Sequence, residues 1–366
     1  MGDDVVLVIV VATALAFDFT NGFHDTANAI ATSVSTRAMS PRTAVAMSAI
    51  LNFAGAFISL KVAATVASGI VDPAAITTTV VFAGLIGAIA WNLATWWLGL
   101  PSSSSHALIG GVVGAAFVAS GPSAIFSDGL IEKVLVPGLV APVLAFAVAA
   151  SAIVVIYNMV GRLRPGPVNR GYRLGQLVTG SMFSLAHGTN DAQKTMGIIT
   201  LALIAHGNLP ANSTDVPFWV IVSSAAAIAL GTYTGGWRII RTMGSRIIKM
   251  DPAQGFSAQG AGAAVVLTAT HLGFPLSTTH VISGGVMGAG AAKRLSAVRW
   301  GLAGNIALAW VLTLPAAAAI GALVYAVSSV FGNGPLGPLL VSIAVLGLIG
   351  VIFGRRLSHQ RLVAAQ

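Results

Sequence analysis

Apolar runs of about 20 residues, the length a helix needs to cross a bilayer, follow one another along almost the whole chain, and the charged residues fall in the short gaps between them. That pattern leaves few folds open. Only 8% of the residues are charged, against the roughly one quarter usual for soluble domains, so most of the outer surface must face lipid. The clear spans are residues 43–60, 75–99, 134–158, 217–237, 300–327 and 338–353. Four further segments are apolar but interrupted: 5–34, 101–120, 175–206 and 256–291, the last reading as two passes. The chain therefore reads as an all-α polytopic membrane protein with about 10–12 transmembrane segments, some of them broken or re-entrant. The start, Met1-Gly2-Asp3-Asp4, lacks the basic region of a cleaved signal peptide, so the first span is expected to be retained. With no cysteine, thiolate metal sites and disulfides are excluded.

The net charge of +9 would suit a nucleic-acid partner, but its distribution argues against one. The basic residues form five short clusters: Arg37 and Arg42; Arg162, Arg164, Arg170 and Arg173; Arg238, Arg241, Arg246 and Lys249; Lys293, Arg294 and Arg299; and Arg355, Arg356 and Arg361. These are the marks of cytoplasmic loops. Placing all five inside puts the N-terminus outside and the C-terminus inside a plasma membrane.

Two motif pairs reveal a duplication. Asn21-Gly22-Phe23-His24-Asp25-Thr26-Ala27-Asn28 matches His187-Gly188-Thr189-Asn190-Asp191-Ala192-Gln193-Lys194, and Pro101-Ser102-Ser103-Ser104-Ser105-His106 matches Pro275-Leu276-Ser277-Thr278-Thr279-His280. The order is the same and the spacing nearly so. On the path set by the basic clusters, each segment runs opposite to its mate, which makes the halves inverted-topology repeats, an architecture of secondary transporters with a site at the repeat interface. The expected division is a first repeat over 1–160, a basic cytoplasmic linker over 161–174, a second repeat over 175–330, and an extra C-terminal span with a basic tail over 331–366.

The carboxylates of Asp25 and Asp191 lie inside apolar segments, where a charge costs about 2.5–3.5 kcal/mol on insertion scales. Each faces a cavity or partner, or else caps a half-helix. Asn21, Gly22, Gly188 and Asn190 flank them and tolerate irregular backbone, so each segment is expected to unwind here. Carbonyl, Asp and Asn oxygens then suit Na⁺, or the Asp carries a proton. Asp25, Asp191, Asn21, Asn190 and His24 are the candidate coupling-ion residues; His187 belongs to the same motif. The Pro-hydroxyl-His segments read as helix starts, whose free N–H groups attract oxyanions. Ser103, Ser104, Ser105, Ser277, Thr278 and Thr279 are the expected donors to a tetrahedral anion, with Asn28, Gln193 and Lys194 as further ligands. The alternative for the hydroxyls is back-bonding within their helices, and for Lys194 snorkelling to the interface. His106 and His280 either donate to the anion or pack on a carbonyl.

These motifs resemble the inorganic phosphate transporter (PiT) family over nearly the whole chain, most strongly at Gly22–Thr36, Gly188–Ile198 and the two Pro-hydroxyl-His stretches. The resemblance implies inverted repeats with broken helices around a central phosphate, uptake coupled to Na⁺ or H⁺ symport by alternating access, and a homodimer. Bacterial relatives are often proton-coupled and carry phosphate as a neutral metal complex. His24 departs from the family's usual Asn before the Asp, whereas Asn190 keeps it; since His titrates near neutral pH, the coupling ion stays open. No cofactor beyond that ion is expected. Competing readings are a transporter of sulfate or arsenate, a passive channel, and a hydrolase using Ser104 or Ser105. The last lacks a Gly-x-Ser-x-Gly elbow, and a nucleophile needs no matched copy in each half.

Overall fold

The structure, a computed structural model, describes residues 2–210, 213, 215–332 and 334–364, with side chains for all of these except 2, 349 and 352–364. Met1 and the side chains of Arg355, Arg356 and Arg361 thus lie outside the described residues. The described residues form fourteen α-helices: α1 (Gly2–Ser35), α2 (Pro41–Gly55), α3 (Lys61–Ser68), α4 (Thr78–Leu98), α5 (Ser104–Ser120), α6 (Ser127–Leu130), α7 (Val136–Val160), α8 (Pro165–His206), α9 (Phe218–Thr234), α10 (Trp237–Arg241), α11 (Pro252–His271), α12 (Thr278–Lys293), α13 (Trp300–Ser329) and α14 (Leu336–Ala364). A π-helical turn continues α6 into α7, so residues 127–160 form one apolar rod.

The distribution of side chains is inverted relative to a soluble protein. Leu139, Val140 and Val143 of α7 and Val311 and Leu323 of α13 are exposed, while Asp18, Asp25, Asp191 and Lys194 are buried. Water would penalise both halves of that arrangement; lipid outside and a polar centre inside satisfy both. Among the described residues four helical stretches, Asp3–Ser35, Thr78–Leu98, Ser127–Val160 and Trp300–Ser329, are long and apolar enough to span a membrane unaided, and Phe218–Thr234 with Trp237–Arg246, bent by 58°, passes the same test as a pair. The long α8 falls outside that set because its middle carries buried polar residues, from Gln176 to Thr200.

The element order repeats: α1, α2, α3, α4, α5 and α7 are followed by α8, α9, α10, α11, α12 and α13 in the same sequence of lengths and breaks. Packing exchanges the two sets. First-repeat α1 lies on second-repeat α9, and α8 lies on α2; likewise α5 lies on α13, and α12 on α7. Neither repeat completes its own core. The two helices that carry Asp25 and Asp191, α1 and α8, also lie against each other.

Two expectations are corrected. The segments carrying Asp25 and Asp191 do not unwind: α1 and α8 are helical straight through them. Their glycines serve close helix packing instead. A Cβ at Gly22 would collide with the Ile228 carbonyl of α9 and sit 2.9 Å from the Thr232 nitrogen, and one at Gly188 would meet the backbone of Asn52 on α2. The linker is also shorter than 161–174, because α8 begins at Pro165, a residue pre-organised for the first helical turn and lacking the N–H that would go unpaired there. The breaks fall at α5 and α12 instead. Their first residues, Ser104 and Thr278, are buried, so both helices begin inside the protein.

Gly22→Val is therefore expected to destabilise the protein by about 1–3 kcal/mol through overpacking. Gly301→Ala, which meets nothing within 4 Å, should leave stability unchanged. Thermal unfolding of the two variants in detergent checks both.

Candidate functional site

The two interior helix starts are built alike. The Ser103 hydroxyl accepts the His106 N–H at 3.0 Å, and the Ser277 hydroxyl accepts the His280 N–H at 3.3 Å. Ser103 and Ser277 thus act as N-caps, fixing the first turns of α5 and α12. The next two residues of each run are the ones that reach the charges. Ser104 donates to Asp25 Oδ2 at 2.7 Å, and Thr279 donates to Asp25 Oδ1 at 3.3 Å. Thr278 donates to Asp191 Oδ2 at 3.2 Å. Asn28 donates to Thr278 and Thr279 at 3.2 and 2.8 Å.

Lys194 lies at the centre of this network and does not snorkel to the membrane surface. One helical turn from Asp191 on α8, it pairs with that carboxylate, and it donates to Ser105 Oγ at 2.5 Å and to the Leu276 carbonyl at 2.6 Å. Its three N–H groups thus have three acceptors drawn from both repeats. Ser105 donates in turn to the same Leu276 carbonyl at 2.9 Å. Every residue of the cluster is at most 3% exposed, so the site is shut off from solvent.

Two histidines frame the carboxylates. His24 Nδ1 is 2.6 Å from Asp25 Oδ1, and its Nε2 is 3.2 Å from the Thr95 hydroxyl on α4. His187 Nε2 is 3.0 Å from Asp191 Oδ2, and its Nδ1 is 3.1 Å from Asn52 Oδ1 on α2. One ligand atom each from Asp25, His187 and Asp191 lies within 4.8 Å of the others, close enough for one small cation to touch all three.

Other predicted residues lie elsewhere. Gln193 faces α3, where its Oε1 accepts the N–H groups of Val62 and Ala63 at 2.8 and 3.2 Å, capping that helix. Asn190 donates to Thr270 Oγ1 and the Phe274 carbonyl on the α11 side; in an unbroken helix it points about 100° away from its neighbour Asp191. Asn21 lies beside Asp18, one turn away on α1. His106 and His280 meet edge to face with ring centroids 4.9 Å apart, and His280 Nδ1 lies 3.4 Å from the Gly138 carbonyl.

Sequence reasoning missed Asp18, Asn52 and Gln259. Asn52 donates to Thr232 on α9 at 2.8 Å and Gln259 to Ser33 on α1 at 2.8 Å, so each ties the two repeats together. A legible signal existed for Asp18: an acid two turns before Asp25 on one helical face.

Comparison with known proteins finds a family over most of the chain. Residues 21–170 and again 162–321 each match the phosphate transporter family, a double match that reproduces the duplication. A Mycobacterium bovis protein described as a "Probable low-affinity inorganic phosphate transporter" is 52% identical over 329 residues, covering 90% of this chain and 79% of its own length. A Rhizobium meliloti protein of the same description is 52% identical, covering 87% and 95%. The solved structure of "The sodium-dependent phosphate transporter" superposes with a TM-score of 0.81 at 25% identity, over 89% of this chain and 99% of that one.

Removing one partner of a buried ion pair costs about 3–5 kcal/mol. Lys194→Met should lower thermal stability by about that much, and adding Asp191→Asn should recover part of the loss. Thermal unfolding of both single variants and the double variant is the check; purely additive losses would mean that the two side chains do not act as a pair.

Proposed function

Because the chain belongs to the phosphate transporter family, we propose that it imports inorganic phosphate across the plasma membrane by symport with H⁺ or Na⁺. In this reading the two repeats alternate access around a fixed central site. The observation that carries it is the meeting of two helix starts, one from each repeat, at Asp25, Asp191 and Lys194. The N-terminal N–H groups of α5 and α12 offer positive dipole ends. Ser104, Ser105, Thr278, Thr279, Asn28 and Lys194 offer donors whose bonds to one another and to the carboxylates are exchanged for bonds to the anion. Ser103 and Ser277 hold the two helix starts in place as caps.

Electrostatics then requires coupling. Asp25 and Asp191 with Lys194 already carry a net negative charge when the flanking histidines are neutral, and a phosphate added in low dielectric multiplies it. A cation at Asp25, His187 and Asp191 offsets that charge and lets the loaded site close. A second reading, transport of a neutral metal–phosphate complex, draws on the same three ligands, since two carboxylates and an imidazole also suit a divalent ion. The family resemblance further implies a homodimer, which cross-linking in the membrane tests.

The carboxylates also favour phosphate among oxyanions. At neutral pH phosphate keeps at least one O–H, which can donate to Asp25 or Asp191; sulfate has none and would set oxygen lone pairs against carboxylates. Arsenate shares phosphate's protonation.

Radiolabelled phosphate uptake into proteoliposomes, with imposed Na⁺ and H⁺ gradients in turn and with and without Mg²⁺, tests the proposal. Accumulation against a gradient is expected under one ion. Asp25→Asn and Asp191→Asn should abolish it while the protein stays folded; unlabelled arsenate should compete and sulfate should not. Uptake in both variants at the unmodified rate would refute the site assignment.

A further inference from the structure

The connection from α10 to α11 and the one from α12 to α13 lie side by side, tied by the Arg299 N–H, which donates to the Ile247 carbonyl at 3.0 Å. They share a cavity of about 260 Å³, lined by Lys249, Lys293, Arg294 and Arg299 together with Gln254 and Ser296. Among the described residues Asp251 is the one carboxylate in contact with any of these four bases, pairing with Lys293 at 3.1 Å. That carboxylate is also committed elsewhere. It accepts from the Tyr157 hydroxyl at 2.6 Å and, as the N-cap of α11, from the Gln254 N–H at 2.9 Å. Four bases against one acid leave a surplus of three positive charges around one cavity.

Two ordinary causes account for part of this cluster but not for its shape. Bases gather in cytoplasmic loops whatever their use, and a helix dipole favours cations at the C-terminal end, which suits Lys293 and Arg294 at the end of α12. The first cause sets the side of the membrane; it does not draw bases from two connections around one cavity, where they repel one another. The second runs the wrong way for Arg299, which stands at the N-terminal end of α13. The fold does not require the bases either. The corresponding turn of the first repeat has the same form, with the short 3₁₀ helix Pro122–Ala124 after α5 where Leu295–Ala297 follows α12. It carries no Lys or Arg from 119 to 126.

The geometry points to an anion site at Lys249, Lys293, Arg294 and Arg299 that takes a phosphate group, and its surroundings make the occupant the headgroup of an anionic phospholipid. Leu295 and Trp300, interleaved with these bases in sequence, are exposed, and the Trp300 indole N–H donates to the Leu295 carbonyl at 2.9 Å, which holds the ring beside the 3₁₀ turn. Tryptophan favours the level of the lipid headgroups. From Trp300 the chain continues as α13, long and apolar enough to span a membrane, with Leu308, Val311 and Leu312 exposed along it. A lipid can thus set its phosphate among the four bases and lay its acyl chains along α13. On the orientation set by the basic clusters this is the cytoplasmic leaflet, and basic pockets between helices on that side bind anionic headgroups. Because α12 runs from Thr278 in the central cluster to Lys293 at this cavity, the lipid holds the far end of a helix that begins at the central site.

The test is native mass spectrometry of the purified, intact protein in detergent, titrated with phosphatidylglycerol and, separately, with zwitterionic phosphatidylcholine. The unmodified chain is expected to bind one phosphatidylglycerol several-fold more tightly than phosphatidylcholine. In Arg294→Gln/Arg299→Gln that preference should fall about fivefold for each base removed. Arg37→Gln/Arg42→Gln, which removes the same charge from the connection between α1 and α2, should keep it. No preference in the unmodified chain, an undiminished preference in Arg294→Gln/Arg299→Gln, or an equal loss in both pairs overturns the site. Should Arg294→Gln/Arg299→Gln not fold, an undiminished preference in Lys249→Gln overturns it equally. Inorganic phosphate separates the two sources of the group: displacement of the bound lipid by millimolar phosphate would make the free anion the occupant and overturn the lipid assignment. No readout involves transport, so none of these outcomes bears on the function proposed above.

Discussion

A lysine ammonium held inside the bilayer is the interaction around which the structure is organised. Lys194 cannot be left in an apolar interior without partners. The protein supplies Asp191 from its own helix, Ser105 from the start of α5, and the Leu276 carbonyl from just ahead of α12. Meeting that requirement draws both interior helix starts to α8. Asp25 is drawn in from α1 by Ser104 and Thr279, one hydroxyl from each start. A polar centre of this kind is costly to build and specific once built, because most of its donors and acceptors are assigned to one another.

The exchange of helices between repeats is the means by which that centre is assembled. α5 belongs to the first repeat but packs on α13, and α12 belongs to the second but packs on α7. Each helix start is thus carried by a unit made from both halves, and so is each of the contacts of α1 with α9 and of α8 with α2. In the alternating access proposed above, units of this mixed composition would move against each other around the shared centre.

Much of this was legible in the sequence, and what was not has identifiable causes. The lipid-facing exterior followed from the scarcity of charge, the duplication from two motif pairs, and the interior helix starts from Pro and hydroxyl residues at matched positions. Asp25, Asp191, Lys194, Ser104, Ser105, Thr278, Thr279 and Asn28 are brought together by the fold. The motif reading failed where one residue type serves two purposes. Gly22 and Gly188 looked like sites of unwinding, yet a helix also needs glycine where a neighbour's backbone comes close, and only the packing of α1 on α9 and of α8 on α2 distinguishes the cases. Ser103 and Ser277 look like their neighbours in the run, but a helix has a single N-cap, and register decides which hydroxyl fills it. Gln193 sits inside the second acid motif but on the face of α8 that meets α3. Asp18 was passed over because it lies outside the duplicated motif; an unmatched acid is invisible to a search for repeats.

The central claim is that one anion site is shared between the two repeats through Ser104 and Thr279, and a double-mutant cycle tests it most directly. Equilibrium binding of ³²P-phosphate would be measured for the unmodified protein, Ser104→Ala, Thr279→Ala and the double variant. If both hydroxyls serve one anion and one carboxylate, the losses are non-additive, with a coupling free energy of about 0.5–3 kcal/mol. Losses that add within error, or binding unaffected by either change, would contradict a shared site.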